Sequence, residues 1–455
     1  MTARILPLDT VLLLFLSTAF LVRTGAVGGN LKAVGTGLLV AYLVISHLDA
    51  RSVSKDMSRR TYVIKLSLLL AIVAVLVVIP TLASILVRHA QGPQTNAHDG
   101  VLQIEAAIHF LLRGQNPYAT TYEQTPLAAW NWGHPYPNPA LYYLAYLPFM
   151  FLAGIPLHQI FSATLGWYDQ RFLYLMALAV ALWSWGAVAR DRTSSLATLA
   201  VIALSPLAAP YFIEGRNDIM VIALLGLSVG ALQHSHRSWS LPASGIFFGV
   251  ACATKQSVWF LGPFYLLYLW KSKGELRPVM RRWVVPGAVT AALVILPFFL
   301  WSPGDFVEDT VSYLSGNVEH NYPIKTQNAY GLHVLLASPR FSSLLDQVSS
   351  GPLNFLRPAT DALRIRSELQ GYPFWVFQLL FALPVLVLCL LRQARKNSLS
   401  AALAGYAVSL LTYQFFSRFL HDNYIGFVLT IWLLSLLVQE PAPIPTRPAQ
   451  DQTAI

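Results

Sequence analysis

The sequence predicts an all-α polytopic membrane protein, and its composition and patterning both support that fold class. Only 11% of the 455 residues are charged and 55% are hydrophobic, whereas a soluble domain carries about 25% charged residues. The mean hydropathy is +0.53. Apolar runs of about 17–25 residues recur along the chain, long enough to cross the hydrocarbon core as helices. A membrane β-barrel would instead show alternating segments of about 10 residues.

The first apolar run, residues 10–21, is interpreted as a retained helix. A secretory signal needs a basic start and a small-residue cleavage site, but only Arg4 precedes the run and no good cleavage site follows it. Helices over 10–26 and 33–48 therefore form an N-terminal hairpin. Together with the basic loop that follows, this hairpin makes a first domain of residues 1–60.

Four clusters of basic residues set the predicted topology, because short loops rich in Lys and Arg stay in the cytoplasm. They are Arg51/Lys55/Arg59/Arg60, Arg190/Arg192, Lys271/Lys273/Arg277/Arg281/Arg282 and Arg392/Arg395/Lys396. With these clusters inside, the helix predicted over 62–87 leads outward. Asp99 and the loop to residue 138 are then extracytoplasmic, in a multi-pass protein of the cell membrane.

The remaining predicted spans alternate between those basic loops. They cover 170–189, 195–212, 218–232, 241–254, 256–270, 283–301, 373–391, 400–415 and 424–438. Residues 139–155 are apolar but flanked by outer loops, so they are predicted to lie along the outer surface. The bundle then has about twelve spans, or thirteen if this segment crosses. The helical domain covers residues 61–440, and residues 441–455 are predicted to be a disordered cytoplasmic tail.

Most of the unusual polar residues fall on the predicted outer face. They are Asp99, Glu105, His109, Glu214, Arg216, Asp218, Lys255, His320, Lys325, Arg418, His421 and Asp422. Ionisable groups at membrane depth are costly, so they usually face a cavity or a partner rather than lipid. The sequence therefore predicts a polar pocket beneath the outer headgroups.

Several short motifs on that face occur in a recognisable order. Asp99-Gly100 opens an amphipathic segment that leads to Asn116-Pro117-Tyr118 and then to Pro135-Tyr136-Pro137-Asn138-Pro139. Gly215-Arg216-Asn217-Asp218, Ala253-Thr254-Lys255-Gln256 and Asn328-Ala329-Tyr330-Gly331-Leu332 follow. Over residues 60–440 this order resembles the GT-C glycosyltransferases, and most closely glycosyltransferase family 87, the polyprenol-phosphate-mannose-dependent mannosyltransferases. Asn138 is a departure, since relatives more often show a Tyr-Pro-Pro run, and the hairpin before residue 60 is not general to the fold.

The resemblance implies a GT-C-like bundle that transfers a sugar with inversion. The donor would be mannose, or another sugar, on a polyprenyl phosphate, with no cofactor and no metal. The acceptor would be a hydroxyl of a glycolipid, a glycan or a protein. Asp99 best matches the family's general base, a role that typically contributes about 10²–10⁴-fold to rate.

The leaving phosphate needs cations and N–H donors aimed at it. Arg418 is predicted to offer its guanidinium fork, with Lys255, His320 and Lys325 as further candidates. The remaining predicted substrate-binding residues are Asp218, Glu105, His421 and Tyr118.

Each assignment has a structural alternative. Asp99 and Asp218 both stand at predicted helix starts, where Asp is a favoured N-cap. Glu105 and His109 share a helical face that could be a solvated stripe, and Arg418 could reach the headgroups as an anchor. The Tyr and Trp residues of the first outer loop fit an interfacial belt as well as sugar stacking. His98, His109 and His134 form no recognisable metal motif.

Two other functional classes compete with the transferase hypothesis. A transporter or flippase of a lipid-linked or small polar substrate would also need a polar cavity, although the halves of this chain show no internal repeat. A non-catalytic member of a glycan-assembly complex would be the other alternative, and Asp99 argues against it. The basic residues lie in short cytoplasmic loops without interleaved aromatics, so membrane lipid rather than nucleic acid is their predicted partner.

Overall fold

The computed structural model describes residues 6–50, 57–133, 135–322, 329–363 and 372–441. Within those ranges the regular structure is helical, with two isolated β-bridges, Ala189 to Val438 and Ala329 to His421. Several predictions fall outside the described residues. These concern Arg51, Lys55, His134, Lys325 and the tail from residue 442 onward.

Four helices are long and apolar enough to cross a membrane: Gly29–Asp49, Arg59–Gln91, Leu276–Trp301 and Phe374–Arg395. Seven shorter apolar helices accompany them: Phe149–Leu165, Arg171–Ala187, Arg192–Leu204, Asp218–Gln233, Ser240–Cys252, Leu399–Phe415 and Asp422–Leu437. The chain is therefore a multi-pass, all-helical membrane protein. The predicted count of about twelve spans stays a prediction.

The N-terminal hairpin consists of helices Leu8–Arg23 and Gly29–Ala50, close to the predicted bounds. It packs against Arg59–Val73 and Arg192–Leu204. A fully buried polar group fixes this packing, in which Lys65 pairs with Asp9 and the Tyr42 hydroxyl donates to the same carboxylate at 2.5 Å. A buried ion pair of this kind holds its helices in one relative position, because removing either partner leaves an uncompensated charge.

Close backbone contact joins two of the apolar helices. A Cβ added at Gly249 would lie 2.2 Å from the carbonyl oxygen of Gly287. One added at Gly245 would lie 2.3 Å from the carbonyl oxygen of Trp283. Small residues at such positions let helix Ser240–Cys252 approach Leu276–Trp301 closely, a common packing device in membranes.

The remaining segments are short helices and turns. They comprise Asp99–Leu112, Pro117–Ala119, Pro126–Ala129, Pro139–Leu141, Phe149–Leu152, Ile155–Leu165, Ala209–Glu214, Gln256–Leu261, Pro303–Val307, Glu308–Ser312, Tyr313–Ser315, Leu332–Leu336, Pro339–Ser350, Asn354–Leu356 and Arg357–Leu363. Helix Gly262–Lys273 completes the set. Residues 139–155 hold the turn Pro139–Leu141 and the first part of the apolar segment Phe149–Leu165, which is interrupted between Leu152 and Ile155. That these residues lie along the outer surface stays a prediction.

Candidate active site

Asp99 is the first residue of helix Asp99–Leu112, and the residue that caps this helix is His98. The His98 Nδ1 atom accepts a hydrogen bond from the Gly100 N–H at 3.1 Å. Asp99 Oδ1 also accepts from that N–H, at 2.8 Å, and lies 2.8 Å from the His98 ring. Asp99 thus takes part in the cap with one oxygen only. Its second oxygen, Oδ2, is turned toward Asn138, whose amide donates to it at 3.0 Å.

The segment that carries Asp99 is fastened to the loop after helix Ala209–Glu214. The His98 N–H donates to the carbonyl oxygen of Glu214 at 2.8 Å. Gly215 has a φ of +98°, and a Cβ there would lie 2.2 Å from Val101. Only glycine fits this left-handed conformation and this close approach. The two motifs that were far apart in sequence are therefore neighbours.

Four polar side chains meet close to Gly215: Arg216, Asp218, Lys255 and Asn423. Lys255 forms an ion pair with Asp218, and each of those side chains is 16% exposed. The Asn423 amide donates to Asp218 Oδ2 at 3.2 Å, and its oxygen accepts from Arg216 Nη1 at 2.5 Å. We call Asp99, Asn138, Arg216, Asp218, Lys255 and Asn423 the polar cluster.

Tyrosine rings surround this cluster. Tyr146 lies against the start of the Asp99 helix, where a Cβ added to Gly100 would be 2.5 Å from its hydroxyl. The Lys255 ammonium lies 5.4 Å from the centre of the Tyr424 ring. Burial raises the pKa of Tyr322 and of Tyr146, and the Asp99 charge adds to both shifts. Both residues are therefore neutral phenols within range of the Asp99 charge, and a phenol can donate or accept hydrogen bonds.

The electrostatics of the site favour the ionised form of Asp99. Burial by itself would raise the pKa of this carboxyl, because it disfavours the charged form. The His98 ring, the Asn138 amide and the Arg216 charge outweigh that cost and hold the pKa of Asp99 well below its ordinary value. The side chain is 17% exposed, so the carboxylate is partly accessible.

Arg418 lies behind Tyr322 and bonds to the segment that carries it. Its Nη2 atom donates to the Tyr322 carbonyl oxygen at 2.6 Å and its Nη1 atom to Asn321 at 3.3 Å. The Nε atom is buried and has no acceptor among the described residues. Burial lowers the pKa of Arg418 to about 10. Arg418 is therefore a desolvated cation bonded to the backbone of Tyr322, a residue whose pKa responds to the Asp99 charge.

The other predicted binding residues contact side chains around the site or lie outside the described residues. His320 is exposed and stacks on Tyr142 with 3.8 Å between ring centroids. The His421 ring lies 6.2 Å from that of Tyr322. Tyr118 is 3% exposed, and its hydroxyl donates to the Tyr146 carbonyl oxygen at 2.7 Å, so it supports the cluster from behind.

Glu105 belongs to a separate polar network. Arg88 donates to both of its oxygens, at 2.9 and 2.6 Å, and also to Asp169 at 2.7 Å. Burial works against the ionised form of Asp169, but the bonds and charges of Arg171 and Arg88 lower its pKa. Glu105 and His109 line a cavity of about 450 Å³. That volume is within the range of about 300–1,000 Å³ typical of small-molecule sites.

With this geometry in view, the sequence match becomes informative. The family model for glycosyltransferase family 87 matches residues 143–417, more than half of the chain. The chain belongs to glycosyltransferase family 87. Comparison with curated proteins gave no match, and comparison with solved structures gave none.

Family 87 membership makes this chain a membrane glycosyltransferase, and the matched residues include part of the site. Arg216, Asp218 and Lys255 lie inside the match, whereas Asp99 and Asn423 lie outside it on opposite sides. The role of Asp99 in this family 87 chain therefore depends on its surroundings in the fold rather than on the match.

Several residues of the site were not predicted from the sequence. Asn423, Tyr322 and Tyr424 had been given no role, and Asn138 stood out only as a departure from the pattern of relatives. Asn423 follows Asp422, which the sequence predicts on the outer face, so its position next to that residue could have marked it as a member of the site. Among the described residues, no group of three or more His, Cys, Asp or Glu side chains is arranged to hold a metal ion.

Proposed function

We propose that this family 87 protein transfers a sugar, mannose or a related hexose, from a polyprenyl-phosphate carrier to an acceptor hydroxyl on the extracytoplasmic face. The acceptor is a hydroxyl of a glycolipid, a glycan or a protein. The observation that carries the proposal is the ionised, accessible Asp99 carboxylate beside Arg216 in a chain of this family.

In the proposed step Asp99 takes the proton of the acceptor hydroxyl. The acceptor oxygen bonds to the anomeric carbon as the bond from that carbon to the phosphate oxygen breaks, so the configuration inverts. The bonding electrons leave with the polyprenyl phosphate, which gains one negative charge. An alcohol is a weak nucleophile until a positioned base accepts its proton, which explains the need for Asp99.

The charge that develops on the phosphate requires donors close by. Arg216 donates through Nη1 to Asn423, and its Nε atom is buried without an acceptor among the described residues. Lys255 is already paired with Asp218 and adds positive charge nearby. We add Arg216 to Arg418, His320 and Lys325 as a proposed phosphate contact, because its positive charge acts on Asp99, the proposed base.

The decisive experiment measures transfer of radiolabelled sugar from polyprenyl-phosphate-mannose and polyprenyl-phosphate-glucose by purified wild type and Asp99→Asn. We expect the variant to lose about 10²–10⁴-fold in rate. The matched control is Asp361→Asn, which removes an exposed carboxylate that pairs with Arg357 at 3.8 Å. EDTA is tested in parallel, and we expect no effect.

The outcomes separate the parts of the proposal. Equal transfer by wild type and Asp99→Asn would remove Asp99 as the base and direct attention to Asp218 or Glu105. Transfer lost in EDTA would contradict the metal-free mechanism. No transfer from either donor by folded wild type would contradict the proposed donor class.

The orientation of the site is tested separately. A cysteine introduced at Gln115, an exposed residue just after the Asp99 helix, in a background that lacks Cys252 and Cys389, is expected to react with a membrane-impermeant maleimide added to intact cells. Reaction only after the membrane is opened would place the site on the cytoplasmic face instead.

A further inference from the structure

Arg23 connects the N-terminal hairpin to residues that lie next to the polar cluster. Arg23 is the last residue of helix Leu8–Arg23. Its Nη2 atom forms an ion pair with Asp422 at 2.8 Å and donates to the Tyr211 hydroxyl at 3.1 Å. The Asp422 side chain is 1% exposed, whereas that of Arg23 is 38% exposed. The arginine thus closes over a buried carboxylate from the outside.

Two paths lead from Arg23 to Arg216. In the first, Asp422 opens helix Asp422–Leu437, and the next residue, Asn423, accepts from Arg216 Nη1 at 2.5 Å. In the second, the Tyr211 ring lies beneath the Arg216 guanidinium, 4.4 Å from its centroid. Tyr211 also donates to the Asp422 carboxylate. The guanidinium of Arg216 is therefore held between a ring and an amide that are both connected to Arg23.

We propose that Arg23 is a positioning residue for sugar transfer, and that the N-terminal hairpin is a functional part of the transferase. Arg23 neutralises Asp422 and fixes Tyr211, which together set the place of Arg216 beside Asp99. This inference rests on the proposed function. It assigns a role to a helix that lies outside the residues matched by the family model.

The hairpin does not need Arg23 for its attachment. Its buried contacts with the rest of the bundle include the Asp9 to Lys65 ion pair and the apolar packing of Leu13, Leu16 and Phe20. Arg23 is far more exposed than these residues. Its removal should therefore leave the fold intact while loosening the site, which separates a positioning role from a structural one.

The test compares Arg23→Ala, Arg23→Lys and a control, Lys32→Ala. Lys32 is a cation of the same hairpin that donates to the Thr24 carbonyl oxygen. We expect Arg23→Ala to lower kcat about 10–100-fold, because a small misplacement of a catalytic group costs up to about 10²-fold. The KM for polyprenyl-phosphate-mannose should change little. Arg23→Lys should restore part of the rate, since it keeps the ion pair but loses the planar fork.

Two further measurements decide how Arg23 acts. In an Arg216→Ala background, Arg23→Ala should cause no additional loss, because both changes remove the same contribution. Hydrogen exchange should become faster in Arg23→Ala for peptides covering residues 209–218 and 419–425, and stay unchanged for residues 171–187. The exchange measurement needs no activity.

Each result supports or overturns the proposal. A rate in Arg23→Ala equal to that of Lys32→Ala, a full additional loss in the Arg216→Ala background, or unchanged exchange at residues 209–218 would overturn it. If wild type transfers no sugar, the proposed function fails. The exchange experiment alone then decides whether Arg23 positions this segment.

Discussion

The side-chain amide of Asn138 donates a 3.0 Å hydrogen bond to Oδ2 of Asp99, the carboxylate oxygen that is not occupied by the helix start. A donor to the charged form favours ionisation, in agreement with the lowered pKa of Asp99. Wild-type activity should therefore show no acid loss caused by Asp99 down to about pH 5, since the ordinary pKa of an Asp is about 3.9.

The first prediction is that Asn138→Asp raises the pH at which transfer activity is lost on the acid side, into the range from pH 5 to 8. A second carboxylate beside Asp99 disfavours its charge and raises its pKa, and the base works only when ionised. Activity should therefore fall as the pH drops, at a higher pH than in wild type. The measurement is kcat from pH 5 to 8, with Asn138→Leu as the uncharged control. A flat profile in Asn138→Asp would show that Asn138 does not tune the base.

The second prediction concerns the ion pair of Lys255 and Asp218. Breaking it from either side leaves a partly buried charge, so Asp218→Asn and Lys255→Met should each lower the thermal midpoint and the transfer rate. The double variant should be more stable than the sum of the single effects predicts, with a coupling energy of about 0.5–3 kcal/mol. Denaturation of the four proteins in one detergent measures it. Strict additivity would contradict a direct pair.

The third prediction is that Gly100→Ala damages activity through Tyr146. The added Cβ would lie 2.5 Å from the Tyr146 hydroxyl and 3.2 Å from His98 Nδ1, so the ring must move away from the carboxylate. Overpacking of this kind costs about 1–3 kcal/mol. The control is Gly304→Ala, where no atom lies within 4 Å of the new methyl group. Equal rates for the two variants would indicate that the Tyr146 position is unimportant.

The fourth prediction concerns the buried pair of Asp9 and Lys65 in the hairpin. Both side chains are fully buried, so Lys65→Met should destabilise the protein by about 3–5 kcal/mol, because Asp9 is left without a counter-charge. The double variant Asp9→Leu/Lys65→Met should recover most of that loss. Thermal unfolding in detergent measures both. A double variant as unstable as Lys65→Met alone would show that charge imbalance is not the cause.

The helical architecture could be predicted from the sequence, and so could the presence of Lys255 and Asp218 on one face of the protein. The apolar runs gave the hairpin and the long spans, because hydrophobic length is a local property. Lys255 has no acid beside it in sequence, so its counter-charge has to come from a distant residue or a ligand. The structure supplies Asp218, thirty-seven residues away along the chain. The positions of the basic loops predict both residues on the outer face.

The remaining contacts could not be predicted, because they join segments that no periodicity relates. Asn423 meets Asp218 across 205 residues. Glu105 was expected in the same pocket as Asp99, since both stand on the first outer helix. It instead bonds to Arg88 and shares that cation with Asp169. A charged side chain selects its partner by geometry in three dimensions, which residue types alone do not specify.

Arg171 gives the site one further property. This fully buried residue begins helix Arg171–Ala187, and its Nη1 atom donates to Ser84, to the Asn96 carbonyl oxygen at 2.8 Å and to the Ile213 carbonyl oxygen at 3.2 Å. The segment just before Asp99 is thereby joined to an apolar helix at a fixed height. The Asp99 carboxylate cannot change its depth in the membrane independently of that helix, and a donor sugar on the proposed lipid carrier would lie at a depth set by the bilayer. Helices respond to a change in membrane thickness by tilting. Under the proposed function, such a change would alter the distance between Asp99 and the donor sugar.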